Sequence, residues 1–484
     1  MTLPWLSRSV VVAVGLVGAL PVVLLAVATA WMGSNLKDIA PRPRPAVLQL
    51  PQATLPDDRN AFFALLGLPA EAGRDAATVG HAVWQIELAR GALSPQDRRA
   101  ATRYVELNAQ DAAATGPRLP GVNGAPLHCK PAADGCVAEW LAQPSALAAQ
   151  RQQMAVVGER CDALWAPGMG FEERLPARPG PTNASWLHVS GAVRCSIWWR
   201  SGAVLAWQQG RPQEATALLG QAMRMNTALL AGGQSQVSNL VTVSIIRDTQ
   251  ATIAALGLRD PALATTLAPL LAAVPDEVQV AATRRWMAVE AAVGRNALAD
   301  VFECPDPGET GLDQMLGWLA ARFNHWQCRH RIGIQPERTL ALFDDFWAAN
   351  ADALGAGLPA AVQQLQARQQ QAEAVGWRWQ NTFGQVLLDV AVPSYQHDLR
   401  QAADLPLYTE AAALALAASA QRVPAAERAA WAQRQPLSAP LRERLLWDAS
   451  GQSFTVRTWY EEGRAAPIEP RRAIRFEWPA NAQG

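Results

Sequence analysis

From about Asp57 onward, apolar residues recur at three- and four-residue spacing, and proline, glycine or a helix-capping residue stands at most of the breaks. A 3.6-residue period lines such residues along one face of a helix, so a chain written this way for most of its length must pack helix against helix. Ser94-Pro95, Asp260-Pro261 and Gln335-Pro336 each set a proline where a first helical turn begins, because its missing N–H is not needed there; in the first two a good capping residue precedes it. The pattern yields roughly a dozen helices. Two gaps dense in glycine and proline, at 109–128 and 166–184, interrupt them.

The end of the chain changes period. Phe454 to Tyr460 and Ile474 to Trp478 alternate apolar and polar residues, and Leu445-Leu446-Trp447 before Asp448-Ala449-Ser450-Gly451 offers a third strand and a turn. A lone hairpin is marginal, so this segment is expected to pack on the helical body or to pair with something else.

The N-terminus carries a different signal. Val10 to Trp31 contains no charged residue and is long enough, at ~1.5 Å per residue, to cross a ~30 Å hydrocarbon core as a helix. Ala28-Thr29-Ala30 also has the small-x-small form of a signal-peptidase site, so an uncleaved anchor and a cleaved leader both fit. The charges disagree with export of the body, since Arg8 precedes the segment while Lys37, Arg42 and Arg44 follow it. The cysteines favour it. Cys129, Cys136, Cys161, Cys195, Cys304 and Cys328 are even in number and all follow the apolar segment, as an oxidising compartment allows. Pairing by sequence neighbours (Cys129 with Cys136, Cys161 with Cys195, Cys304 with Cys328) would staple three local loops. A metal site is the competing use, because His128 adjoins Cys129 and His325, Cys328 and His330 share one short stretch. The usual zinc spacings, Cys-x-x-Cys or His pairs at i, i+4, are absent.

The expected class is therefore mainly α, with irregular stacked helical hairpins, an N-terminal transmembrane helix and a small C-terminal β-hairpin or meander. Its expected parts are a cytoplasmic N-terminus at 1–9, an anchor or uncleaved signal at 10–31, a Pro-rich linker at 32–56 acting as a stalk, a helical domain at 57–300, a second helical region at 301–440 and the β segment at 441–484.

One stretch resembles a known family. Residues 203–227 run through Gln209-Gly210, a turn, Glu214-Ala215 and then Ala222, which looks like the centre of a tetratricopeptide repeat. The resemblance implies paired helices and a protein-binding surface. It covers this stretch alone, lacks the proline after the second helix and has no second copy at the family's period. Weaker echoes stand at Leu256 to Leu263 and at Val423 to Trp431.

Charge and chemistry narrow the function. Acidic and basic residues both number 42, so no global field exists to hold nucleic acid. The lysines are Lys37 and Lys130, which leaves a lysine-dependent mechanism in the body with Lys130. Nucleophile-elbow, zincin and phosphate-loop patterns are missing, and nothing calls for a cofactor. Gly233-Gln234-Ser235 reads as a helix boundary. Glu172 and Glu173, in the second gap, are the residues a hydrolase would use, although adjacent carboxylates rarely face each other across a scissile bond. Tyr395, His397 and Asp398 follow Pro393, where a helix start would explain Asp398 by the helix dipole. Tryptophan is the compositional anomaly, with 19 against 4 tyrosines. Trp186, Trp198, Trp199, Trp207, Trp377 and Trp379 are the candidate binding surface, with core packing the competing use. These features predict a membrane-anchored periplasmic scaffold or adaptor that binds another envelope protein. The alternatives are an envelope hydrolase of cell-wall glycan or peptide with its site at 166–184, and a Trp-rich glycan-binding module.

Overall fold

The structure is a computed structural model that describes residues 37–70, 73–91, 136–165, 168–179, 187–272, 274–302, 335–374, 381–459 and 474–479, with 25–27, 29–30 and 33 nearer the N-terminus. It is mainly helical, with a small antiparallel sheet at the end. The expected span Val10 to Trp31 lies for the most part outside the described residues, as do Cys129, Cys304, Cys328, Trp186, Trp377, Trp379, His128, His325, His330 and Lys130. No helix among the described residues is long and apolar enough to cross a membrane.

The first helices are α1 (Ala61–Leu66), α2 (Ala76–Gly91), α3 (Val137–Ala142), α4 (Pro144–Gln153) and α5 (Ala155–Ala163). All but α2, which packs on α1, pack against α6 (Leu187–Gln208), and α6 is tied to α5 by a disulfide between Cys161 and Cys195, as neighbour pairing predicts. Cys136 is disulfide-bonded as well. Next, α6 and α7 (Pro212–Gly232) form the helix pair expected at 203–227; Ala215 and Ala222 are fully buried, so the two axes approach closely. Ser235 caps α8 (Gln236–Arg259) by accepting the Ser238 N–H. Asp260 then caps α9 (Pro261–Leu271) by accepting from Ala262 and Leu263, a cap typically worth about 1 kcal/mol.

After α10 (Asp276–Phe302) come α11 (Pro336–Ala353), α12 (Leu358–Ala374) and the 39-residue α13 (Thr382–Ala420). The chain ends with α14 (Ala425–Gln433), α15 (Ala439–Arg444), β1 (Leu445–Trp447), β2 (Ser453–Val456) and β3 (Ile474–Glu477). Helices α8 and α13 run side by side in the same direction: Gln236 meets Asp398, Gln250 Nε2 donates to Thr409 Oγ1 at 2.8 Å, and Ser419 Oγ donates to the Gly257 carbonyl at 2.7 Å. One buried cluster extends from Leu48 to Trp478, so residues on both sides of 300 share a core.

Two expectations need correction. The Pro-rich segment is not a free stalk, because residues from Lys37 onward lie on the body. Asp38 accepts the N–H groups of Glu337 and Arg338 at 2.9 and 3.0 Å and so caps α11 from outside; Arg44 donates to the Ala288 carbonyl, and Leu48 is fully buried. Tyr395, His397 and Asp398 are not at a helix start either. They lie inside α13, where the helix dipole has no exposed end to offer Asp398.

The sheet forms a meander in the order β1-β2-β3. Phe454 pairs with Phe476, and Trp447 and Trp478 pack against Phe454, so aromatic rings together with the paired Val456 and Ile474 form the buried side of the sheet.

Candidate binding site

The second Gly/Pro gap is held from both sides. Glu172 accepts the N–H groups of Thr54 and Leu55 at 3.0 and 2.7 Å and pairs with Arg174 at 2.7 Å; the peptide hydrogen bonds and the guanidinium outweigh burial and lower its pKa. Glu173 turns the other way. Its carboxylate accepts the N–H groups of Gln234 and Ser235 at 2.6 and 2.8 Å and the Ser235 hydroxyl at 2.7 Å. The two neighbours therefore serve separate structural ends and do not face a common space. Gly232 makes this approach possible, since a Cβ there would stand 1.8 Å from the Phe171 carbonyl oxygen.

Around the same helix end, His188 Nε2 lies 2.7 Å from Ser238 Oγ and 3.6 Å from Glu173 Oε1. This is not a nucleophilic triad. A triad holds the imidazole by the nitrogen opposite the serine, whereas Ser238 and Glu173 approach the same nitrogen. All these groups are buried, which also closes them to substrate. Gln236 completes the cluster: its N–H donates to Glu290 Oε1 at 3.3 Å and its side chain to Asp398. Burial pushes Glu290 up to about 7 and Asp398 up to about 6, with the other carboxylates adding to the shift on Glu290. Tyr395 is pushed up to about 12 by burial and then by the same two acids. Among the described residues no group of three or more His, Cys, Asp or Glu is arranged to hold a metal ion.

The candidate tryptophans among the described residues, Trp198, Trp199 and Trp207, pack into or against the core. Trp199 is fully buried with Nε1 donating to Asp162 at 2.6 Å, so it cannot present a ligand surface. Trp198 fills the space left by Gly158 and carries the Arg151 guanidinium 3.7 Å above its ring. Trp207 is half-buried and donates to Asp260 at 3.3 Å. In each case the indole supplies wide apolar area, and in Trp199 and Trp207 its single donor is satisfied.

At the other end of α8 the molecule opens. A cleft of about 470 Å³ is bounded on one side by Ala251, Ala254, Ala255, Leu258 and Arg259, on the other by Arg475 to Pro479, with Ala138 at its margin. The Trp478 N–H donates to the Gln452 carbonyl at 3.0 Å, which fixes the phase of the ladder. In an antiparallel pair the hydrogen-bonded residues alternate. The main-chain groups of Arg475 and Glu477 therefore face away from β2, and no described strand pairs with that edge. Their side chains are exposed and paired with each other at 3.4 Å. The arrangement offers an unpaired strand edge beside a shallow wall of small side chains.

The period-two pattern at 474–478 and the small residues of 251–255 were signals for the two walls. Nothing in the sequence shows that they meet, nor that Glu290 and Asp398 converge on Gln236. No protein-family model, no curated protein and no solved structure matches this chain.

Proposed function

We propose that the protein is a membrane-anchored periplasmic scaffold or adaptor that binds an extended segment of another envelope protein along β3. The observation that carries this reading is the cleft between α8 and β3, where the outward peptide groups of Arg475 and Glu477 stand beside an alanine wall. An unpaired strand edge takes up an extended chain through main-chain hydrogen bonds, and a neighbouring pocket selects its side chains. Small residues leave room for that chain. The Cys161–Cys195 disulfide supports an oxidising compartment, and the apolar length of Val10 to Trp31 supports retention at the inner membrane. The helix pair at 203–227 supplies a second contact surface in this reading, as the tetratricopeptide resemblance implies.

The hydrolase alternative has less support, because Glu172 and Glu173 are both engaged in holding the loop that carries them. The glycan-binding alternative loses Trp199 to the core.

A photoreactive residue at Glu477, compared with one at Leu446 on β1, tests the reading in the native envelope. A discrete adduct from position 477 and none from 446 is expected, with the protein resisting a carbonate wash of the membranes. Equal yields from both positions would argue against a cleft-specific partner, and release by the wash would argue against the anchor.

A further inference from the structure

We infer that the end of the body formed by the N-terminus of α11 rests against the lipid headgroups, held there by the shortness of its tether. The inference depends on the anchored reading of Val10 to Trp31 and adds an orientation to it. From Lys37 onward the chain is fastened to the body at successive points. The Lys37 carbonyl accepts from Gln335 Nε2 at 2.9 Å, and Asp38 takes both free N–H groups at the first turn of α11. Gln335 is itself fixed, its N–H donating to Asn381 Oδ1 at 3.0 Å at the start of α13. Arg42 pairs with Asp345 at 3.3 Å about two turns further along α11, and Arg44 and Leu48 continue the attachment.

Only residues 32–36 separate the end of the apolar stretch from this fastening. Fully extended, the six steps from Trp31 to Lys37 reach roughly 20 Å at ~3.4 Å each. The headgroup layer of one leaflet takes up about 5 to 8 Å of that reach. The first turn of α11 is thus held within about 12 to 15 Å of the headgroup surface whatever path those residues follow.

The partner is a phospholipid surface, and charge does not select it. Lys37, Arg42 and Arg338 are balanced by Asp38, Glu337 and Asp345, with Asp38 occupied by the helix N–H groups and Asp345 paired with Arg42. Contact therefore forms equally on neutral and anionic bilayers. The sheet lies away from this end, since Asn381 and Tyr408, which packs on Phe476, are about 40 Å apart along α13 at ~1.5 Å per residue.

The test uses the full chain in phosphatidylcholine vesicles, with a fluorescent amino acid in place of Glu337 or of Leu446 and a headgroup-attached quencher. Flotation of the vesicles reports the anchor separately. The expected result is flotation of the protein with several-fold stronger quenching at 337 than at 446, unchanged when anionic phosphatidylglycerol is added. A long Gly-Ser insertion after Ser34 should abolish the difference and leave flotation intact. Flotation with equal quenching at the two positions would overturn the orientation alone. A contrast that survives the insertion would overturn the tether as its cause, and failure to float would remove both the anchor and the orientation.

Discussion

At its N-terminus α8 meets Glu173, Glu290 and Asp398, and Ser235, Ser238 and His188 fill the space between them; along its last turns it shows alanines to an open cleft beside β3. The two ends of one helix are thus finished in opposite ways. At the first, N–H groups of Gln234, Ser235, Gln236 and Ser238 find acceptors inside the protein. At the second, the neighbouring strand keeps peptide groups that no described residue takes up. The difference teaches where polar groups serve folding, and it is the open end that the proposed partner would use. Polar residues mark the closed end, and unremarkable small residues mark the open one.

Breaking the closed end should cost stability, and the largest effect is expected from its covalent closure. Replacing Cys161 and Cys195 by alanine opens a 34-residue separation that spans the Glu173 loop. On the chain-entropy model this costs about 4 kcal/mol, measurable by urea denaturation. Glu173→Ala comes next. It strands two buried N–H groups and a hydroxyl, for about 3 kcal/mol, whereas Glu477→Ala at the open end should change stability by less than about 0.5 kcal/mol.

The acids also give the closed end a pH signature. Glu290 titrates near 4.5 when unfolded and is raised to about 7 in the fold, and Asp398 is raised from 3.8 to about 6. Raised carboxyl pKa values mean that the folded state holds protons more tightly. The stability they contribute is complete below the unfolded values and is lost as pH rises through 6 to 7. Denaturation midpoints measured at pH 5 and pH 8 should show this loss, on the order of 3 kcal/mol for Glu290. Glu290→Gln, which imitates the protonated acid, should remove its share and leave the variant more stable than the parent at pH 8.

The architecture was largely legible from period and punctuation. Helices begin at Pro261 and Pro336 where proline spacing places them, the strands at 453–456 and 474–477 follow the alternation of their residues, and Leu445–Trp447 adds the third strand. What could not be read was anything requiring distant segments to meet. Asp38 caps a helix that begins at Pro336, so a sequence that looks like an extended stalk is fixed to the body by a side chain acting at long range. Pro393 reads as a helix start, yet α13 begins at Thr382 and continues through it, because a proline costs a helix without setting its boundary where the rest of the chain continues. Glu172 and Glu173 read as one feature and point to different partners, because adjacent residues diverge once the backbone is extended.

The open end should respond in the reverse sense, with binding changed and folding spared. Ala138 is exposed at the margin of the cleft. Ala138→Trp should alter thermal stability by no more than about 0.5 kcal/mol while reducing the adduct formed from position 477.

The most direct measurement places proline at position 475 and the photoreactive residue at 477. The Arg475 N–H faces away from β2, so proline there removes no hydrogen bond of the sheet, and edge strands tolerate it. It does remove a donor that an added strand would use. The account predicts an unchanged melting temperature and loss of the adduct. An adduct at parental yield from a folded Arg475→Pro protein would contradict the claim that β3 is the binding edge.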